Sequence, residues 1–384
     1  MNKLSPYFNP IVSMVDFDLG IFYWAGIFIA FFSSLLILGK QKKKAADFLL
    51  AGWFLIIGVH LVFFVLFRSD GYLSFPYLIG FEMPFPFMHG PMLYLYILSI
   101  TGRYPGRKIW LLHWLPILGI YMILFQFLML PPQDRMLVYQ NKGKGYEVLS
   151  DILKFLMIVS GVLYVGLSLF AVRKYKKEIS NQYSNTEKIN LNWSYYLITG
   201  IALIWIAVII RNNILIFSMV VLFILVAAYF GISRVGILDL PVVAAIEDQR
   251  EPDAEVVKYQ KNSPGNDAIQ AIYNKLLHKM QDEKLYIDPE LNLNHVAKLL
   301  DVHPNILSQT INSVENKNFY DYINRQRIEE FKRIAMLPEN QKYTILSLAF
   351  ESGFNSKTSF NRNFKKYMNC SPREFLKSQN LDME

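Results

Sequence analysis

The chain has 384 residues, of which 53% are apolar, 15% aromatic and only 18% charged. That balance excludes an ordinary soluble protein and leaves room for two or three domains. A single cysteine, Cys370, excludes an internal disulfide framework and a cysteine-based zinc site, while the net charge of +8 points to anionic partners, lipid headgroups or nucleic acid.

The apolar residues fill long runs up to about Gly231, and the remainder has the composition of a soluble protein. The first run follows Asp16 and Asp18, has no adjoining basic region and is too long for a signal-peptide core, so it is expected to be a retained membrane helix. A bilayer core of roughly 30 Å needs about 20 apolar residues as helix. Seven runs are expected to span: Leu19 to Gly39, Ala46 to Phe67, Pro84 to Ile100, Ile109 to Leu130, Ile152 to Val172, Trp193 to Ile210 and Ile214 to Gly231. The last two are parted only by Arg211, Asn212 and Asn213, and a single helix there would be about 58 Å long. A tight hairpin is the better expectation. The apolar stretch Leu73 to Phe81, beside Pro76, Pro84, Pro86 and Pro91, is too short to cross and is expected to be re-entrant or interfacial.

Lysine and arginine set orientation. Lys40, Lys42, Lys43 and Lys44 follow the first run, Arg103, Arg107 and Lys108 the third, and Arg173, Lys174, Lys176, Lys177 and Lys188 the fifth. The alternate loops hold fewer: Arg68, then Arg135, Lys142 and Lys144, then Arg211. An odd number of spans with the N-terminus outside puts the rich loops and the C-terminal half in the cytoplasm, at the inner membrane.

Glu82 and His89 stand in a proline-rich stretch at membrane depth, where ionisable groups tend to mark a pocket or ion path. They are candidate contacts for a ligand in the outer half of the bundle; the plainer alternative puts Glu82 at the headgroups and His89 in a satisfied core position. His60 and His113 are weaker candidates, and His113 beside Trp114 suits an interface anchor. No phosphate-cradling glycine loop, paired metal-binding histidines or nucleophile elbow occurs, so no catalytic or metal site and no cofactor are expected.

Residues 1–232 therefore form an expected transmembrane sensor domain, and 233–264, with Asp239, Glu247, Asp248, Glu251, Asp253, Glu255 and three prolines, an acidic flexible linker. Beyond it, Ile269, Ile272, Leu276, Leu277 and Met280 recur at helical spacing. Leu293 to Leu300, the turn Asp301-Val302-His303 and a helix from Pro304 to about Ser313 make one helix-turn-helix. Ile345 to Glu351, the turn Ser352-Gly353-Phe354 and a helix over Lys357 to Tyr367, capped by Ser356, make a second. A helix over Phe319 to Met336 joins them.

On these residues, above all Ala349-Phe-Glu-Ser-Gly-Phe-Asn-Ser356, Phe360-Asn-Arg-Asn-Phe-Lys-Lys366 and Ser371-Pro372, the segment Leu291 to Lys377 resembles the DNA-binding domain of the AraC family of transcription regulators. The whole order resembles membrane-bound bacterial members. The chain departs from the family pattern at Asn369-Cys370, where glycine usually precedes Ser-Pro, and at Thr310-Ile311, where a basic residue commonly follows Gln309. The resemblance implies an all-α protein with a seven-span bundle ahead of a tandem helix-turn-helix domain at 265–384. It implies base contacts by Asn305, Ser308 and Gln309 on the first recognition helix and by Lys357, Thr358, Asn361 and Arg362 on the second. Phosphate contacts fall to Lys365 and Lys366. The expected function is a membrane-bound transcription regulator that couples a signal to promoter binding. Its expected partners are double-stranded DNA, the lipid bilayer, a small-molecule or membrane signal and a second copy in a homodimer. The alternative is a transporter or sensor whose helix-turn-helix module serves protein interaction.

Overall fold

The structure, a computed structural model, describes residues 10–103, 106–187, 189–233 and 265–381. The regular elements among the described residues are all helices. The chain divides into two units, Met1–Arg173 with Leu191–Asp239, and Lys174–Asn190 with Leu240–Glu384.

The first unit holds α1 (Pro10–Leu38), α2 (Ala45–Arg68), α3 (Phe85–Ile100), α4 (Arg107–Leu112), α5 (Leu115–Leu128), α6 (Pro132–Gln140), the first part of α7 (Glu147–Gln182), α8 (Ser194–Ile210) and α9 (Asn213–Ser233). The long helices of this unit are apolar on both faces. In α1, Tyr23, Ile27, Ala30 and Ile37 are buried, whereas Ile21, Trp24, Phe28 and Leu35 project outward and are exposed. Water does not favour such an outer face, and hydrocarbon does. α1 packs on α2 and α9, and α8 on α9. Lys40 at the α1–α2 turn donates to Asp47 at 2.6 Å and to the Gly231 carbonyl at 3.0 Å, which satisfies an orphan carbonyl in the last turn of α9.

The expectation of seven spans needs correction. Among the described residues, five helical stretches are long and apolar enough to cross a membrane: Gly20–Leu38, Ala45–Arg68, Lys108–Leu128, Glu147–Gln182 and Asn213–Ser233. The third and sixth expected spans are the apolar helices Phe85–Ile100 and Ser194–Ile210, and at 16 and 17 residues they fall short of that length. α3 starts only after Pro84, and α8 stops at Arg211, whose φ of +62° is left-handed. The fourth expected span corresponds to Lys108–Leu128, which keeps crossing length although a turn at His113 and Trp114, ahead of the Pro116 ring, separates α4 from α5. The reversal at Arg211 and Asn212 is the expected hairpin, with the Asn212 side chain accepting from the Leu215 amide at 3.0 Å. The stretch Leu73 to Phe81 makes two single-turn 3₁₀ helices, Gly71–Leu73 and Pro76–Leu78. Buried Arg135 of α6 holds it by donating to the carbonyls of Tyr77 and Ile79.

The second unit holds α10 (Asn266–Asp282), α11 (Leu293–Leu299), α12 (Pro304–Glu315), α13 (Phe319–Ala335), α14 (Ile345–Glu351), α15 (Lys357–Met368) and α16 (Pro372–Ser378). Two cores share α13. Its N-terminal residues Phe319, Tyr322 and Ile323 join Leu276, Val296, Leu307 and Ile311 in the first. Its later residues Ile328, Phe331 and Ile334 join Leu348, Phe354, Phe360 and Phe364 in the second. The acidic linker expected over 233–264 lies, past Ser233, outside the described residues.

The second unit also contains the end of α7 and the segment after it. α7 has 36 residues, about 54 Å of helix, and continues well past the expected end at Val172. Lysine, arginine and glutamate propagate helix well, and Tyr175 and Ile179 continue the buried face of Val172 at helical spacing.

Candidate nucleic-acid interface

Each helix-turn-helix is built from a cap, a left-handed residue and a second cap. In the first, the Asn292 side chain caps α11 by accepting from the His295 amide at 3.0 Å. Asp301 takes φ +53°, the Val302 amide bonds the Ala297 carbonyl at 3.0 Å, and His303 Nδ1 accepts from the Asn305 amide at 3.2 Å. In the second, Gly353 takes φ +98°, the Phe354 amide bonds the Ala349 carbonyl at 3.1 Å, and Ser356 accepts from the Ser359 amide at 3.0 Å. Both turns thus close with the same six-residue hydrogen bond, which left-handed backbone permits. Gly353 has a second reason to be glycine: a Cβ there would lie 2.4 Å from the Tyr286 carbonyl oxygen. Asn369, which replaces the usual glycine before Ser371-Pro372, takes φ +56° at the end of α15.

The residues expected to contact DNA lie on exposed or half-buried positions. On α12, Asn305 and Gln309 are exposed and Ser308 is half-buried. α12 contains no lysine or arginine. On α15, Lys357, Thr358, Asn361, Arg362, Lys365 and Lys366 are all exposed. They form two stripes. Lys357, Asn361 and Lys365 line a groove together with Thr344, Ser371 and Arg373, and Arg373 is a cation that sequence reasoning had not singled out. Arg362 and Lys366 instead face the start of α13. Arg362 donates to the Tyr320 hydroxyl at 2.7 Å, and Lys366 pairs with Asp321 at 2.6 Å. Asn363 donates to the same Tyr320 hydroxyl, so Tyr320 positions Arg362.

A family model described as a helix-turn-helix domain matches residues 296–378, from within α11 to the end of α16. Residues 296–378 are an AraC-type helix-turn-helix domain. No curated protein and no solved structure matches the chain. The AraC-type domain is that of a DNA-binding transcription regulator.

Between the two cores of the AraC-type domain lies a polar junction that the sequence did not reveal. Arg327 of α13 is 1% exposed. Its guanidinium donates to the carbonyls of Tyr286 and Asp288, both at 2.7 Å, to the Ser184 hydroxyl at 3.1 Å and to the Ser184 carbonyl at 3.3 Å. Burial pulls its pKa down to about 10, so it stays charged at neutral pH. Asn324 adds a bond to the Ser184 carbonyl at 2.9 Å, and Ser184 itself donates to the Leu291 carbonyl at 2.6 Å. The segment after α7 is therefore built into the same unit as the AraC-type domain. The available signal was the helical spacing of Val172, Tyr175 and Ile179; nothing local marked Arg327 as buried.

In the first unit, His89 and Glu82 have different surroundings. His89 Nδ1 accepts from the Trp53 indole at 3.3 Å, and His89 Nε2 lies 3.0 Å from His60 Nδ1. His60 and His89 line a cavity of about 490 Å³. Glu82 does not line it; its carboxylate accepts from the Gly80 amide at 2.8 Å. His113 Nδ1 lies 3.1 Å from the Tyr164 hydroxyl. Among the described residues, no group of three or more histidine, cysteine, aspartate or glutamate side chains is placed to hold a metal.

Proposed function

We propose that the protein is a membrane-bound, sequence-specific transcription regulator whose first unit spans the inner membrane and senses a signal there. The observation that carries the reading is the joining, in one chain, of long apolar helices with outward-facing apolar residues and an AraC-type domain with an exposed cationic recognition helix. Two recognition helices of one domain suit successive major grooves about 34 Å apart. Arg362 and Asn361 would read base edges, while Lys365 and Lys366 would hold phosphates, Lys366 after leaving Asp321. The lysine-rich turns and the DNA-binding domain would share the cytoplasmic side.

The coupling route we favour is α7. Its residues belong to both units, and the segment that follows it bonds Arg327 and Asn324 at the junction of the two helix-turn-helix cores. A signal that moves α7 would thereby bias the DNA-binding unit, and pairing of two chains would raise effective concentration on DNA.

The test is selection of sites from randomised duplex DNA by the full chain in lipid nanodiscs, with Arg362→Ala as control. Two half-elements about one helical turn apart, relaxed at one base in the variant, are the expected result. Salt-sensitive binding without any motif would sink the sequence-specific reading.

A further inference from the structure

The cavity beside His60 and His89 is bounded by α2, α3, α7, α8 and α9, and its volume of about 490 Å³ is that of a small-molecule site. Its wall is largely aliphatic and aromatic, with Ile201, Ile204, Trp205, Val208, Ile216 and Phe217 among its residues. Gly161 lets Trp205 lie against α7, since a Cβ there would come within 2.4 Å of the indole ring.

The charged groups that line it are all cations. Arg211 and Asn213 line it where α8 turns into α9, Lys154 of α7 lines it as well, and no aspartate or glutamate is among its lining residues. Lys154 makes one ion pair, with the exposed Asp151 at 3.2 Å. Arg211 makes no ion pair or hydrogen bond through its side chain among the described residues. Deeper in, a Trp53 N–H can only donate, so His89 accepts at Nδ1 and, as a neutral ring, carries its proton on Nε2. That proton goes to His60 Nδ1, which leaves His60 Nε2 as a donor. Two cations and neutral donors, with Asn213 the one lining side chain that brings a free acceptor of its own, share the cavity with an apolar wall. Arg211 is exposed and Lys154 half-buried, so an anionic head would gain their charge at the solvent-facing end, a neutral one would gain nothing from it and a cationic amphiphile would be repelled.

We propose that this cavity binds an amphipathic anion, with its carboxylate or phosphate head on Arg211 and Lys154 and its hydrocarbon body along the α8–α9 wall. The site is the sensing element of the function argued above and rests on that reading's placement of the bundle in a membrane. The same chemistry belongs to a free fatty-acid-like anion and to the headgroup and chain of an anionic phospholipid.

The experiment uses the full chain in zwitterionic nanodiscs, titrated with dodecanoate, dodecanol and dodecylamine and followed by tryptophan fluorescence. Saturable binding of dodecanoate, about tenfold tighter than that of either comparator, is expected, a difference of about 1.4 kcal/mol. Arg211→Gln should weaken it about tenfold, and Val208→Trp should fill the site. Arg211→Glu combined with Lys154→Glu should reverse the preference in favour of dodecylamine, a gain that misfolding cannot mimic. Equal binding of dodecanol and dodecanoate, or no effect of charge reversal, overturns the proposal. Repeating the titration in nanodiscs containing phosphatidylglycerol assigns the source: competition identifies resident anionic lipid, and its absence a free amphiphile. DNA retention is measured on the same samples. Intact DNA binding with no anion preference rejects the cavity alone, whereas lost DNA binding with preserved anion preference rejects the regulator reading alone.

Discussion

The two helix-turn-helix units share a backbone plan and differ in what they offer. The first turns on Asp301 and presents a recognition helix without a lysine or arginine. The second turns on Gly353, packed against the Tyr286 carbonyl, and presents Lys357, Arg362, Lys365 and Lys366. The first is also the one that the segment after α7 grips, through Ser184 on the Leu291 carbonyl and the bridge between Tyr183 and Asn292. The difference teaches that affinity for a polyanion and attachment to the rest of the chain are carried by different units. The exposed cations suited to phosphates lie on the second, and the segment after α7 is bonded beside the first.

Exchange of the turn residues is the most severe way to break this comparison. Gly353→Ala combines a left-handed backbone with a collision against main chain, and should cost about 3 kcal/mol or more. Asp301→Gly, at the corresponding left-handed position, should change stability by no more than about 1 kcal/mol. Chemical denaturation of both full-length variants measures the contrast, and equal losses would show that the turns are equivalent.

Arg327→Met removes the cation at the junction and strands the Tyr286 carbonyl, while the Asp288 carbonyl keeps the Leu291 amide. A loss of about 3 kcal/mol is expected in the same assay. A neutral result would mean that the two cores do not depend on this link.

On DNA, Arg362→Ala should cost about 2 kcal/mol and relax one base position, and Gln309→Ala should cost less. Lys365→Ala should weaken all sequences alike and lower the salt slope by about 1. Titrations at several salt concentrations check both. A larger effect at Gln309 than at Arg362 would reverse the assignment of the two units.

The smallest effect should appear on acidification. Hydrogen bonding from Arg333, and then from Lys284, holds the Glu330 carboxyl down at about 2 against the opposing effect of burial. Because its folded pKa is depressed, Glu330 contributes stability that is complete above its unfolded value of about 4.3. That contribution is lost as pH falls through the folded value. Glu330→Gln should flatten the stability curve of the domain over this window, and an unchanged curve would show that Glu330 does not contribute.

The helices of the C-terminal domain were legible because each carries its own local signals. Asn292, Asn318, Thr344, Ser356 and Ser371 all cap the helices they precede, and Pro304 and Pro372 occupy first turns. The outward placement of Asn305, Gln309, Lys357, Thr358, Asn361 and Arg362 follows from the same periodicity. The number of spans was less legible, because hydropathy marks apolar composition but not where Pro84 or the left-handed Arg211 ends a helix. The cavity was half-seen: His89 was singled out, but its partners Trp53 and His60 come from another helix.

The sequence by itself determined the apolar first half, the two helix-turn-helix units and their exposed cations, because helical periodicity, caps and charge act over a few residues. Only the tertiary structure decided that Tyr320 holds Arg362, that Arg327 is buried against Ser184, and that Arg211 shares a cavity with His60. Those pairs lie 42, 143 and 151 residues apart, and contacts at such separations are set by how the helices pack rather than by any local pattern.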